Sequence, residues 1–422
     1  MIEKNQKLIL FTNYYPYYKG EEYIENEILE ASNQFSRILV IPTMVSLGMK
    51  KTRNVPKNVE VLDIKTDCSI LGKIKMVFSK LPSVLKDPDI RLKELDFKKK
   101  LYSLYYFCRV EKVFESIIDK PEFKKYISSG GNFILYSYWM HVVASITARI
   151  HNRILPKNSV SITRGHRYDL YDYAAPCGYI PDRLYMLESM IGIYPCSEDG
   201  REYLAKKYPK YSNKIKVKRL GTLNHGRIEC TRKQMFTIVS CSGVRNVKRL
   251  DKIIQVIKIL RQDYNNVKWI HLGDGPEFVN IKKLANEKLP KGAFEFEGHL
   301  INEEVYDWYK THSVSCFINL SDSEGVPVAI MEAMSFGIPI VATDVGGTRE
   351  IVKNQENGYL ISKNEKASRI ASLITDIMQM SEEKYVELCK SSFRRWNDIS
   401  NAEKLYKSFY EDIKHINNGV LL

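Results

Sequence analysis

Two glutamates, Glu324 and Glu332, stand in CFINLSDSEGVPVAIMEAMSFGIPIVATDVGGTREI (residues 316–351) in a pattern suited to holding a diphosphate. A strand-like run ends at Ser321, a polar turn follows, and Pro327 falls where a helix should start. Glu324 then lies in the turn, and Glu332 more than one turn inside the helix, about 7–8 Å along its axis. Between them Gly325, Val326, Pro327 and Val328 form the helix start, whose free N–H groups and positive dipole end favour phosphate. Glu332 is placed to accept hydrogen bonds from two ribose hydroxyls, and Glu324 to reach sugar hydroxyls on the other side. Either residue alone reads more simply as a surface or first-turn acid. Their joint arrangement points to a ligand.

A diphosphate needs cations. FTIVSCSGVRNVKRLDKIIQVI (236–257) supplies a strand, a short loop with Gly243, Arg245 and Lys248, and a helix. Lys248 thereby arrives at a strand's carboxyl end, where open α/β sheets bind ligands. A third candidate is His166 in RGHRYD, at the end of another strand-like run and flanked by Arg164, Arg167 and Asp169. The arginines disfavour its charged form and Asp169 favours it.

Other patterns are set aside. Asp87-Pro88-Asp89 has the spacing of a metal-holding acid pair, but it sits in a Lys-rich loop with no strand before it and reads as a turn. Gly273-Asp274-Gly275-Pro276 lacks the third glycine of a dinucleotide fingerprint and reads as a turn lining the donor site through Gly275. The eight cysteines show no CxxC pair, so no zinc site is expected and they read as free thiols of a reducing cytosol. The uncharged run 126–148 is too polar to span a bilayer, and the sequence opens without the apolar stretch of a secretory signal. The tyrosines at 14, 15, 17 and 18 suit either sugar stacking or packing.

The elements that must position these residues are short, near-continuous apolar runs separated by helix-period segments. The expected strands are 7–15, 37–43, 59–64, 133–139, 160–165 and 215–220, then 236–242, 267–273, 293–298, 316–321 and 338–344. Such runs mean parallel sheets covered on both faces, and two series of them mean two doubly wound α/β domains. Boundaries are expected near 225 and 395: a first domain 1–225, a second 226–395, and a final segment 396–422 that crosses back. A Lys-rich helical insertion occupies about 65–130.

With 44% apolar and 27% charged residues the chain is globular rather than disordered. Its net charge of +14 is uneven. Residues 1–225 hold 37 basic against 24 acidic side chains, and residues 226–422 hold 27 against 26. The first half is therefore expected to meet something anionic. Its Lys-rich region 71–125 reads either as a solvated helix pair packed on the first sheet or as a basic amphipathic surface that rests on anionic lipid or holds a lipid-linked phosphate.

EGVPVAIMEAMSFGIPIVAT resembles the paired-glutamate signature of retaining glycosyltransferases of family 4, which have the GT-B fold. VKRLDKII, IHLGDGPE, FEGHL, DVGGTREIV and NGYLI follow the family's order. LFTNYYPYYKGEEYIENEI and SITRGHRYDLYDY resemble the subgroup acting in surface polysaccharide assembly. The resemblance implies that Glu332 holds the donor ribose, Glu324 sits beside the transferred sugar and Lys248 binds the donor phosphates. It implies that His166 approaches the sugar from the other domain and that the loop holding Gly20 and Glu21 lines the cleft, with Arg164 and Asp169 nearby. Where the family often carries Arg, this chain has Gly243; Arg245 is the substitute.

The expected activity is transfer of a sugar from a nucleoside-diphosphate sugar, a UDP-sugar, to a saccharide or lipid-linked acceptor. It is expected to proceed with retention and without metal or cofactor, in the cytoplasm or on the inner face of the membrane, with no nucleic-acid partner. A sugar-nucleotide 2-epimerase and a non-catalytic partner of another transferase are the alternatives.

Overall fold

A computed structural model describes residues 6–17, 21, 23–92, 95–155, 157, 159–228 and 235–417. The chain forms two compact units, Met1–Lys218 with Tyr406–Leu422, and Arg219–Leu405.

The first unit holds the parallel strands β1 (Gln6–Thr12), β2 (Ile38–Pro42), β3 (Val59–Val61), β4 (Asn132–Ser137), β5 (Ser159–Gly165) and β6 (Gly192–Pro195). Their order is β3-β2-β1-β4-β5-β6. Every residue of β1 and β2 is buried, which is why Leu8–Phe11 and β2 read as unbroken apolar runs rather than alternating ones. The second unit holds β7 (Phe236–Cys241), β8 (Val267–Leu272), β9 (Phe294–Gly298), β10 (Cys316–Asn319), β11 (Ile340–Thr343) and β12 (Gly358–Ile361), in the order β12-β11-β10-β7-β8-β9. In chain order within each unit this is the same doubly wound arrangement twice. Its order reverses between β1 and β4 in the first unit and between β7 and β10 in the second. Crevices for ligands form at such points, outside the carboxyl ends of the strands.

Segment 215–220 is not a ladder strand. Ile215 makes an isolated bridge to Ile193, and Lys216 and Lys218 donate N–H bonds to Ile193 and Pro195, so it only lines the edge beside β6. Conversely, β6 and β12 escape the pattern of apolar runs. Each is a four-residue stretch opened by Gly, whereas the equally short β10 and β11 are continued by further apolar residues.

The insertion is helical: Ile70–Lys86, Phe97–Ile118 and Pro121–Ser128. The acids of the Asp87-Pro88-Asp89 turn are both held by Arg153 Nη2, at 2.9 Å each. Tyr15 and Tyr17 are buried and pack in the first unit, while Tyr18 lies outside the described residues. The last helix, Ala402–Asn417, ties its latter part into the first unit. There Tyr410 donates to Glu27 Oε1 at 3.2 Å and Lys414 to Gln34 Oε1 at 3.0 Å. Among the described residues no disulfide forms, and no helix is long and apolar enough to cross a membrane.

Candidate active site

In the second unit β7 ends at Cys241, and a loop leads into the short 3₁₀ turn Asn246–Lys248. Beside it β10 ends at Asn319, and the polar turn 320–326 leads to Pro327, which stands at the N-cap of the helix Val328–Ser335. These are the two strands flanking the order reversal, so both loops emerge at one crevice edge. Lys248 Nζ donates to Glu324 Oε1 at 2.7 Å, and the same oxygen takes a long bond from Asn319 Nδ2 at 3.4 Å. Asp322 N donates to Val247 O at 2.8 Å, pinning the two loops together through the backbone.

Glu332 is buried in the helix, and its Oε1 accepts from Tyr306 OH at 3.2 Å. Tyr306 is in turn stacked on His225, with ring centroids 3.8 Å apart. Burial pushes the Cys241 thiol well up, the Glu332 charge adds to this and Lys248 opposes it, so the ends of β7 and the helix share one electrostatic environment.

The glycines nearby have packing reasons. A Cβ at Gly346, whose φ is +52°, would stand 2.1 Å from the Glu324 carbonyl oxygen, and Gly347 N donates to Gly325 O at 2.7 Å. The GG of DVGGTREI therefore braces the Glu324 turn from behind. A Cβ at Gly275 would stand 2.6 Å from Val244 O, so this glycine lets the β8 turn press against the 243–245 loop. Gly243 itself is exposed, and the nearest atom to a Cβ there is Asp274 O at 3.8 Å; packing does not demand glycine. Arg245 is exposed beside it. Gly325, Val326 and Val328 are half-buried, and Pro327 is buried.

In the first unit a second cluster occupies the carboxyl ends of β1, β4 and β5. Glu21 is buried and its carboxylate accepts from the N–H groups of Asn13, Tyr14 and Tyr15 at 2.8, 2.7 and 2.6 Å, and from the Trp139 indole. It fastens the loop after β1 to the segment after β4. Gly20 lies outside the described residues.

Asp169 is fully buried, accepts from the N–H groups of Met140 and His166 at 2.9 Å each, and holds the chain around His166. The His166 ring lies against Trp139 (centroids 4.3 Å), Tyr138 (5.1 Å) and Tyr23 (6.0 Å). Its Nδ1 is 3.5 Å from Asp169 Oδ2, an ion-pair contact without hydrogen-bond geometry, and both ring nitrogens are covered. Burial works against a charged ring, but the Cys196 sulfur and the Asp169 carboxylate outweigh it, and the pKa rises to about 10. The aromatic faces around the ring also suit a cation.

Arg164 meets this cluster at Tyr138, whose ring centroid is 5.7 Å from the guanidinium carbon. Its guanidinium runs into the core, to Tyr136 OH (2.6 Å), Lys218 O (3.0 Å) and Glu27 Oε1 (3.2 Å). At an offset of two, a continuing strand would put Arg164 and His166 on one face, but β5 ends at Gly165 and His166 lies beyond it.

Sequence spacing brought out Lys248, Glu324 and Glu332 but not Tyr306 or the rings around His166. Tyr306 lies on a separate helix with no fixed offset from Glu332. Trp139 offered one signal, an indole just past an apolar run.

Two doubly wound α/β units with this strand order define a GT-B protein. The segment 205–393 matches the family described as Glycosyl transferases group 1. An uncharacterized glycosyltransferase of Haemophilus influenzae is 29% identical over 174 residues, covering 41% of this chain and 47% of its own. A putative colanic acid biosynthesis glycosyltransferase of Escherichia coli is 26% identical over 157 residues, 36% of this chain and 38% of its own. The matches thus span under half the length of these curated relatives. A solved E. coli structure titled trehalose-6-phosphate bound with UDP-2-fluoro glucose superposes with a TM-score of 0.70 over 97% of this chain and 99% of that one, at 10% identity. That likeness speaks for the fold.

Proposed function

We propose that the protein is a glycosyltransferase that moves a sugar from a UDP-sugar to a saccharide or lipid-linked acceptor of a surface polysaccharide, with retention of the anomeric configuration. The observation that carries this reading is the contact of Lys248 with Glu324 at the reversal of strand order, with buried Glu332 in the adjoining helix. The named activities of the relatives and the UDP-sugar in the E. coli structure support it.

On this reading Glu332 takes the ribose hydroxyls, and the diphosphate lies along Gly325–Val328 under the helix start. Lys248 and Arg245 carry its developing charge as the bond from the anomeric carbon to phosphate breaks. The electron pair leaves with the phosphate oxygen, which takes the acceptor's proton as the acceptor oxygen bonds to the same face. Glu324 steadies the sugar and is not assigned as a nucleophile. His166, held as a cation by Cys196 and Asp169 within the first unit, is not assigned a step. Radiolabelled UDP-sugar with a membrane extract tests this. Label entering lipid or polymer supports transfer, label changing sugar identity without acceptor supports epimerisation, and no change removes both.

A further inference from the structure

The helix Ile70–Lys86 leaves an apolar face uncovered. It packs on Phe97–Ile118 through Val77, whose carbonyl meets Cys108 Sγ at 3.9 Å, through the Lys80–Glu115 ion pair, and with buried Val84 on the same side. At the helical turn of about 100° per residue, Ile70, Leu71, Ile74, Phe78 and Leu85 share a single stripe on a different side. They remain exposed by 78, 69, 47, 76 and 63%. Isolated exposed leucines are ordinary, but five large apolar side chains in one stripe are not.

Exposed lysines border this stripe: Lys73 on one side, Lys75 and Lys86 on the other. On the neighbouring helix Phe97 and Leu101 are also exposed, by 79 and 61%, next to Lys98, Lys99 and Lys100. An apolar stripe with flanking lysines on a 17-residue helix, short of a bilayer span, matches a helix lying in the lipid headgroup region. The charge favours an anionic leaflet, and the excess of basic residues in the first half of the chain acts in the same direction.

We infer that Ile70–Lys86 is a membrane-docking helix that buries Ile70, Leu71, Ile74 and Phe78 among the acyl chains of an anionic bilayer while its lysines meet the headgroups. The lipid-linked acceptor proposed above would then be met where it resides; this clause alone rests on that reading.

The full chain is centrifuged with vesicles of phosphatidylcholine and phosphatidylglycerol in equal parts, and with phosphatidylcholine alone. Binding to the mixed vesicles is expected, with a fraction that survives high salt because part of it is apolar. Ile74→Glu with Phe78→Glu should weaken it tenfold or more, and Lys73→Glu with Lys75→Glu should remove the preference for the anionic lipid. A Phe78→Trp variant should show blue-shifted indole emission on the mixed vesicles. Absence of wild-type binding, unchanged partition of Ile74→Glu with Phe78→Glu, or unshifted emission from the Phe78→Trp variant would overturn the inference. So would a lipid-free dimer that the double glutamate variant converts to monomer, since the stripe would then be a contact between copies. UDP-sugar binding by calorimetry reports on the other unit and separates failure of this inference from failure of the donor assignment.

Discussion

Lys248 Nζ and Glu324 Oε1 are 2.7 Å apart, so the cation expected at the donor phosphates and the acid expected at the donor sugar are already partners. They are only partly exposed, 24% and 11% of each side chain, and each holds the other's orientation. A ligand entering here replaces part of this contact, and the pair keeps either charge from standing alone.

Loss of one partner is therefore expected to damage more than one step. Lys248→Ala should lower kcat/KM for transfer by about 10²–10³, as for removal of an electrostatic contact to a developing negative charge. Lys248→Ala with Glu324→Ala should fall little below the worse single variant, because contacting residues are not additive. Steady-state kinetics of the four proteins decides this; strictly multiplied effects would separate the two roles.

Glu332→Ala should weaken UDP binding by about 1.5–3 kcal/mol, the range for hydrogen bonds to a charged acceptor. Tyr306→Phe, which removes the 3.2 Å bond to Glu332 Oε1, should cost about 1 kcal/mol through orientation alone. Calorimetry with UDP measures both, and an unchanged affinity in Glu332→Ala would remove its ribose role.

Gly346→Ala forces a Cβ against the Glu324 carbonyl in a left-handed conformation. It should destabilise the fold by at least about 2 kcal/mol and reduce transfer as the Glu324 turn shifts. Gly48→Ala is the control: its φ is +88° with no atom within 4 Å of a Cβ, so it should cost about 1 kcal/mol and leave transfer intact. Urea unfolding beside the transfer assay compares them.

Glu21→Ala should lose at least about 3 kcal/mol of stability, because three N–H groups and the Trp139 indole lose their shared acceptor. If Glu21 serves acceptor binding instead, the melting temperature will hold while the acceptor KM rises.

Burial lowers the pKa of His141 and of His271 from 6.5 to about 4. Each is neutral when folded and takes up a proton on unfolding in acid. Their contribution is complete above about 6.5 and is lost as pH falls towards 4, by about 1.4 kcal/mol per pH unit for each group. Urea midpoints at pH 7 and pH 5 should show the drop, and His141→Gln with His271→Gln should flatten it.

The amino-acid sequence by itself determined the two α/β series, the helical insertion, and the Lys248, Glu324 and Glu332 signals. Strands buried on both faces leave long apolar runs, and a helix start is marked by its Pro and flanking acids. The glycine-led strands Gly192–Pro195 and Gly358–Ile361 left no such trace, and an alternating Ile-Lys-Val-Lys run imitated a strand at 215–220. Only the tertiary structure turned Arg164 into the core towards Glu27, engaged Glu21 with a loop's backbone, and set Tyr306 against Glu332. Those outcomes depend on which face of a strand or helix meets which distant segment, and pairwise contact across hundreds of residues is not written in local spacing.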